Sequence, residues 1–169
     1  MKVCEKSILN RRSSSLGFTL VEVIVVVVIL GILATISIPA YNNYIKKSRK
    51  AEAKTNLSSL SVLVEEYNSI YGRYCPLCTD STEHTYQYIE DDAGTATTDT
   101  ITGWLDFRPK QASSGGAVAY NYSIGATSNT SYTLTATPVT SRGVVNETLT
   151  LIEDGTKQKI VGGVSSPGW

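Results

Sequence analysis

The chain is poor in the residues that metal proteins and many enzymes depend on. Of its 169 residues, one is His and three are Cys. Four ligands at finger spacing are not available, so a zinc finger is excluded. Cys–His or Ser–His catalysis would rest on His84 alone. Charge of one sign is missing as well: Lys plus Arg number 15, and Asp plus Glu number 15. The strong basic excess of most nucleic-acid proteins is therefore absent, and no specific nucleic acid is predicted as a partner. There is no G-x-S-x-G, no H-E-x-x-H and no P-loop, so the expectation is a non-enzyme without cofactor or metal. With 41% hydrophobic residues and no net charge to expand it, the chain has enough to bury for one folded domain.

Another absence lies along the chain. Between Arg12 and Lys46 only Glu22 carries a charge, and Phe18 to Ala40 reads FTLVEVIVVVVILGILATISIPA. As a helix at about 1.5 Å per residue this run spans about 35 Å, close to the hydrocarbon thickness of a bilayer. In water, Ile24 to Ile29 would favour a strand. In lipid the backbone must satisfy its own hydrogen bonds, so a lone segment must be helical. A buried core helix is the alternative, but such runs are usually shorter. The run is too long for the apolar part of a signal peptide, and no small-x-small cleavage site follows it well. Basic residues flank it on both sides (Lys2, Lys6, Arg11, Arg12; then Lys46, Lys47, Arg49, Lys50). Flanking charge therefore leaves the orientation open.

The residues around the single charge say more. Gly17-Phe18-Thr19-Leu20-Val21-Glu22, behind a basic leader, resembles the processing motif of type IV prepilins and pseudopilins. The likeness extends from Arg11 to about Lys54. Gly31 and Pro39 fall where helices of that family carry helix-weakening residues, and Tyr41 and Tyr44 follow. The resemblance implies that a prepilin peptidase cuts after Gly17 and that the new terminal Phe18 is N-methylated. It also implies assembly with other pilin subunits into a helical filament, through the hydrophobic helix and an inner-membrane assembly platform. Before assembly the chain would be a single-pass inner-membrane protein, N-terminus cytoplasmic and C-terminal domain outside; afterwards it would be part of an extracellular pilus.

The physics of Glu22 agrees with that reading. A carboxylate inside a membrane costs several kcal/mol unless it is paired or protonated. Cleavage after Gly17 would create an amino group on Phe18, and the family role would be a pair between that group and Glu22 of a neighbouring subunit. The competing reading is that Glu22 caps its own helix, stabilised by the dipole. Pro39 removes the hydrogen bond to the carbonyl of Thr35 and crowds it. Gly31 lowers helix propensity by about 1 kcal/mol relative to Ala. Loss of helix between the two, as in filaments of this family, and a passive bend both remain open.

Ala53, Leu57, Leu60, Leu63, Val64, Tyr67, Ile70 and Tyr71 then recur at three- and four-residue spacing, an amphipathic continuation of the helix with Gly72 as its C-cap. A helix from Phe18 to Tyr71 would be about 80 Å long. The basic cluster Lys46, Lys47, Arg49, Lys50 and Lys54 fits lipid headgroups, salt bridges to neighbouring subunits or, least well, nucleic acid.

Residues 73–116 read as a long irregular loop, acidic and rich in Thr, Ser and Gly. A calcium site is conceivable from Glu90, Asp91, Asp92 and Asp99, although EF-hand spacing is absent. Trp104 and Phe107 are candidates to anchor this loop on the core. Alternation predicts strands at Val118–Ile124, Tyr132–Ala136 and Leu149–Leu151, and Asp154-Gly155 predicts a hairpin into Lys157–Val161. The expected fold is α+β: a long N-terminal helix, membrane-embedded in its first half, packed on an antiparallel meander of three to four strands. The segment YTLTATP (Tyr132 to Pro138), Thr148 to Leu151 and the closing Trp169 resemble the sheet of PilE-like minor pilins. Those relatives often carry a Cys just before the final Trp, whereas here Gly168 occupies that place and the segment Val161–Trp169 is expected to be held by packing alone.

Cys4 lies in the leader. Cys75-Pro76-Leu77-Cys78 allows a local disulfide, which suits an extracytoplasmic chain. A thioredoxin-like pair, a zinc half-site with His84 and haem attachment are alternatives; each lacks further parts. The organisation expected is a leader at 1–17, a transmembrane and assembly segment at 18–45, an amphipathic helix at 46–72, a loop at 73–116 and a sheet with C-terminal segment at 117–169. The expected function is a structural subunit, major or minor, of a type IV pilus serving adhesion, twitching motility or DNA uptake. The alternative is a pseudopilin of a type II secretion system.

Overall fold

The computed structural model describes residues 17–79, 82–91, 93–109, 117–128 and 130–169. The leader up to Leu16, with Cys4, lies outside the described residues, as does Asp92 of the conceivable calcium set. The chain divides at Tyr41 and Asn42 into two units.

The first unit holds the N-terminal part of helix α1 (Leu20–Tyr71). Thr19 starts the helix: its Oγ1 accepts from the Glu22 N–H at 3.2 Å and its carbonyl from the Val23 N–H at 3.3 Å. Thr-x-x-Glu is the capping-box spacing, and the Thr19 hydroxyl satisfies one of the first turn's otherwise free donors, the Glu22 N–H. Every side chain from Phe18 to Ala40 is exposed, although nearly all are apolar. By length and composition this helix is able to cross a membrane. Helix α1 runs without interruption through Gly31 and Pro39. The Thr35 hydroxyl donates to the Ile32 carbonyl at 2.7 Å.

The second unit begins at Asn42. There α1 buries Ala53, Asn56, Leu57, Leu60 and Val64, one face at helical spacing. Leu63 and Tyr67 pack at its margin, while Ile70 and Tyr71 stand largely exposed, so the buried stripe ends one turn earlier than its sequence pattern. Gly72 terminates the helix with φ +67°, a left-handed conformation that a Cβ would strain, and its N–H donates to the Asn68 carbonyl.

The sheet has seven strands, which corrects the expected three to four. They are β1 (His84–Glu90), β2 (Ala96–Asp99), β3 (Tyr120–Ser128), β4 (Ser131–Pro138), β5 (Thr148–Ile152), β6 (Lys157–Val161) and β7 (Val164–Pro167). A short helix α2 (Thr102–Leu105) lies between β2 and β3. All pairings are antiparallel, in the order β2-β1-β3-β4-β5-β6-β7. The additional strands are β1, β2 and β7. Two of these are four-residue segments of mostly small polar residues at the sheet edges, and β1 carries Thr85 and Gln87 beside its tyrosines. Such segments give little hydrophobic alternation, and their strand character comes from the neighbour they pair with.

The three strands expected from alternation are present with the expected faces. Tyr120, Tyr122 and Ile124 of β3, Tyr132, Leu134 and Ala136 of β4, and Leu149 and Leu151 of β5 are buried against the helix. Register aligns them: Ile124 with Leu134, Leu134 with Leu151, and Ala136 with Leu149. Leu60, fully buried at the centre of this contact, sets the scale. Leu60→Ala is expected to destabilise the folded domain by roughly 2–5 kcal/mol, read as a lower denaturant midpoint with unchanged slope.

The C-terminal segment also departs from expectation. It is held by more than packing: β7 pairs with β6 across the two-residue turn Gly162-Gly163, both at positive φ. The Gly168 N–H donates to the Lys157 carbonyl at 2.7 Å, and the Trp169 indole N–H donates to the Thr150 carbonyl at 3.0 Å. Backbone pairing and one indole thus do the work of the missing C-terminal disulfide.

Candidate functional site

Three places in the chain carry the candidate functional residues. The first is the start of α1. Phe18, 82% exposed, lines a shallow cleft with Glu22, Val23, Val26 and Val27. Gly17 precedes it, and a Cβ placed there would meet open space. The Glu22 backbone is tied to Thr19, while its side chain stands exposed among apolar residues.

The second place is the loop after Gly72. Cys75 and Cys78 form a disulfide and are both fully buried. The Leu77 N–H between them points to the Tyr86 hydroxyl at 3.4 Å. In the chain-entropy view, so short a loop gains only about 2 kcal/mol, less than half the figure for a hundred-residue loop. The bridge therefore fixes the start of the loop locally. Beyond it, Trp104 packs between Tyr67 and Tyr86 at 4.8 and 5.0 Å, and Phe107 packs on Tyr122 at 5.5 Å, the anchoring expected of both.

The described carboxylates of the conceivable calcium set, Glu90, Asp91 and Asp99, are turned to backbone N–H groups and, for Glu90, also to a tyrosine hydroxyl. Glu90 accepts from the Val118 N–H and the Tyr88 hydroxyl, each at 2.7 Å. Asp91 accepts from Ala93 and Thr95, and Asp99 from Ile101 and Thr102. Among the described residues no group of three or more potential ligands gathers. Arg142 completes this corner, donating to the carbonyls of Val118 and Asp91 while its own carbonyl accepts from Arg49. Burial pushes the Tyr88 hydroxyl well above its usual range, and the hydrogen bond to Glu90 adds to the rise.

The third place was not legible as a site in the sequence. Lys50 and Lys54 of α1 meet Lys157 and Lys159 of β6 beside the terminal Trp169. Lys50 pairs with Glu147. The ammonium groups of Lys54 and Lys157 lie over the Trp169 ring, 5.5 and 4.9 Å from its centroid. Partial burial lowers the Lys54 pKa, and the charges of Lys50, Lys157 and Lys159 lower it further; only Glu147 opposes them. Two lysines over one indole, with Lys50 and Lys159 near Lys54 and Glu147 as the acid among them, make a surface that suits anions. By contrast the side chains of Lys46 and Lys47, from the same basic run, are exposed and form no ion pair or hydrogen bond among the described residues.

Comparison with known proteins places this architecture. The prokaryotic N-terminal methylation motif matches residues 12–38. The family described as "Type IV minor pilin ComP, DNA uptake sequence receptor" matches residues 39–144, well over half the chain. The chain belongs to this family of type IV pilins. It is 47% identical over 55 residues to the type IV major fimbrial protein FimA of Dichelobacter nodosus, covering 32% of this chain and 34% of that one. It is 45% identical over 58 residues to the type IV major pilin PilA of Myxococcus xanthus, covering 34% of this chain and 26% of that protein. Fimbrial protein EcpC of Eikenella corrodens is 43% identical over 56 residues, 33% of this chain and 37% of its own. The pilin thus spans about a third of the length of the curated relatives it matches. No solved structure matches it. The family is one of structural subunits, and in this pilin an exposed apolar helix precedes a helix-on-sheet domain as a filament subunit requires.

Proposed function

We propose that this type IV pilin is cut after Gly17 by a prepilin peptidase, N-methylated on Phe18 and incorporated into a pilus filament, where it serves DNA uptake. The observation that carries the processing step is the Gly17–Phe18 junction immediately before a Thr19-capped helix whose first part is apolar apart from Glu22 and a few hydroxyls, inside the stretch that matches the methylation motif. Residues 1–17 would be the leader and 18–45 the membrane and assembly segment. Residues 46–72 and the sheet domain would lie outside the inner membrane, where the Cys75–Cys78 disulfide persists. An inner-membrane assembly platform and neighbouring pilins are the partners this reading requires.

Intact mass spectrometry of the protein taken from filaments tests the processing. The expected mass begins at Phe18, includes one methyl group and is two hydrogens below the dithiol. An intact leader on the filament protein would overturn the reading.

The DNA role rests on the family description together with the lysine cluster of Lys50, Lys54, Lys157 and Lys159 at Trp169. Ammonium groups gathered on one face neutralise phosphates, and an aromatic ring among them offers a surface for a base or sugar. Zero net charge over the whole chain does not oppose this, because local potential decides where a polyanion docks.

A further inference from the structure

An aromatic cleft at the C-terminal end of α1 takes no part in the functions described above. It encloses about 370 Å³ between the last turns of α1 and helix α2. Tyr67, Tyr71 and Trp104 form its walls, with ring centroids 4.5 Å apart for Tyr67–Tyr71 and 4.8 Å for Tyr67–Trp104. Two carboxylates, Glu66 and Asp106, stand at its rim. Asp106 is the sole non-glycine residue at positive φ among the described residues, and it caps α2 in a left-handed conformation. Its single ion pair, to Arg108 at 3.5 Å, is solvent-exposed and contributes little. Ile70 and Tyr71, apolar residues of the helix stripe, remain uncovered there.

Aromatic faces carry negative potential, and carboxylates at the rim add to it. Such a cleft takes an organic cation. A cation of matching kind is available on the same chain, at Lys46 and Lys47, both exposed and without an ion pair among the described residues. Arg73, by contrast, is placed beside Tyr86 of its own copy. The lysine pair and the cleft lie on one helix, about 30 Å apart along its axis at about 1.5 Å per residue. Lys46 and Lys47 therefore cannot reach the cleft of their own copy.

We infer that the cleft receives a lysine ammonium from Lys46 or Lys47 of a second copy, displaced by about 30 Å along the helix axis. The two patches differ, so the contact is heterologous and each copy keeps one free patch for the next, which propagates a helical array. The inference rests on the filament reading and deepens it by naming a charged contact outside the apolar helix core.

The test uses the full chain expressed in cells, with the filament share of cleaved protein as readout. Glu66→Lys with Asp106→Asn, which tolerates the left-handed backbone, is expected to lower that share about tenfold. Lys46→Glu with Lys47→Glu should lower it similarly, and the four substitutions together should restore it to within about twofold of wild type. An unaffected share in the cleft variant, or a fourfold variant no better than either pair, would overturn the contact. A second measurement avoids charge changes. Copies carrying Gly103→Cys, where an added Cβ meets open space, are mixed with copies carrying Lys47→Cys. Mild oxidation should yield cross-linked dimers in sheared filaments, and assembled filaments without them overturn the contact. Wild-type chain absent from filaments would overturn the pilus reading itself, an outcome visible in the same blot.

Discussion

Glu22→Gln is expected to leave the pilin cleaved and in the membrane but to reduce its incorporation into filaments by two orders of magnitude or more. The substitution separates two roles that Glu22→Ala would mix. In the capping box, a Gln three residues after the Thr19 cap serves as well as a Glu, so the start of α1 remains intact. What is lost is charge. An amino terminus on Phe18 and a carboxylate on Glu22 of a neighbour would each cost several kcal/mol if desolvated singly; in the proposed assembly they would form one pair. Removing one partner leaves the other buried and uncompensated, at roughly 3–5 kcal/mol, or more than a hundredfold in an assembly equilibrium. Thr19→Ala supplies the converse. It removes the cap, costs about 1 kcal/mol and should assemble nearly as well as wild type. Equal incorporation of Glu22→Gln and wild type, measured in sheared filament fractions, would reject the charge pair and leave capping as the role of Glu22.

The second large effect concerns the lysine cluster. Replacing Lys54, Lys157 and Lys159 with Ala in the full-length pilin should weaken DNA binding by about two orders of magnitude at 0.15 M salt. The figure follows from counterion release: each neutralised phosphate contributes a slope of about −0.9 to the dependence of log affinity on log salt. Three lost contacts should flatten that slope by nearly three, a signature that a general loss of folding would not produce. Lys50 is left in place because it already pairs with Glu147. Trp169→Ala should weaken binding with no change in slope, since an indole releases no counterions; it also removes a hydrogen bond to Thr150, so its folded fraction must be measured alongside. An unchanged salt slope in the triple variant would place DNA elsewhere or remove it from the function.

Much of the fold was legible because side-chain direction repeats locally. The uncharged run from Phe18 to Ala40, the helical stripe from Ala53 to Tyr67 and the alternation in β3, β4 and β5 each show a face directly in the sequence. The edges of the sheet were not legible. His84–Glu90, Ala96–Asp99 and Val164–Pro167 have weak patterns, and they become strands by completing the hydrogen bonds of a neighbour. Asn56 shows the same limit inside a helix. A polar residue in an apolar stripe, it is 2% exposed, and its amide donates to the Tyr122 hydroxyl at 2.8 Å. That partner on β3 helps make its burial tolerable, and nothing near Asn56 in sequence announces Tyr122.

The candidate sites divide in the same way. The junction Gly17–Phe18 and the lone Glu22 are local features, visible wherever a charge interrupts an apolar run, and the sequence alone determined where they stand. The spacing of Cys75 and Cys78 made a bridge possible, and folding buried it. The lysine cluster at Trp169 and the aromatic cleft were decided by tertiary structure. Lys54 comes from the helix, Lys157 and Lys159 from β6, and Trp169 from the end of the chain. The period of a segment tells which residues share a face, but strand order and register tell which faces meet. Those depend on long-range pairing, which no single segment encodes.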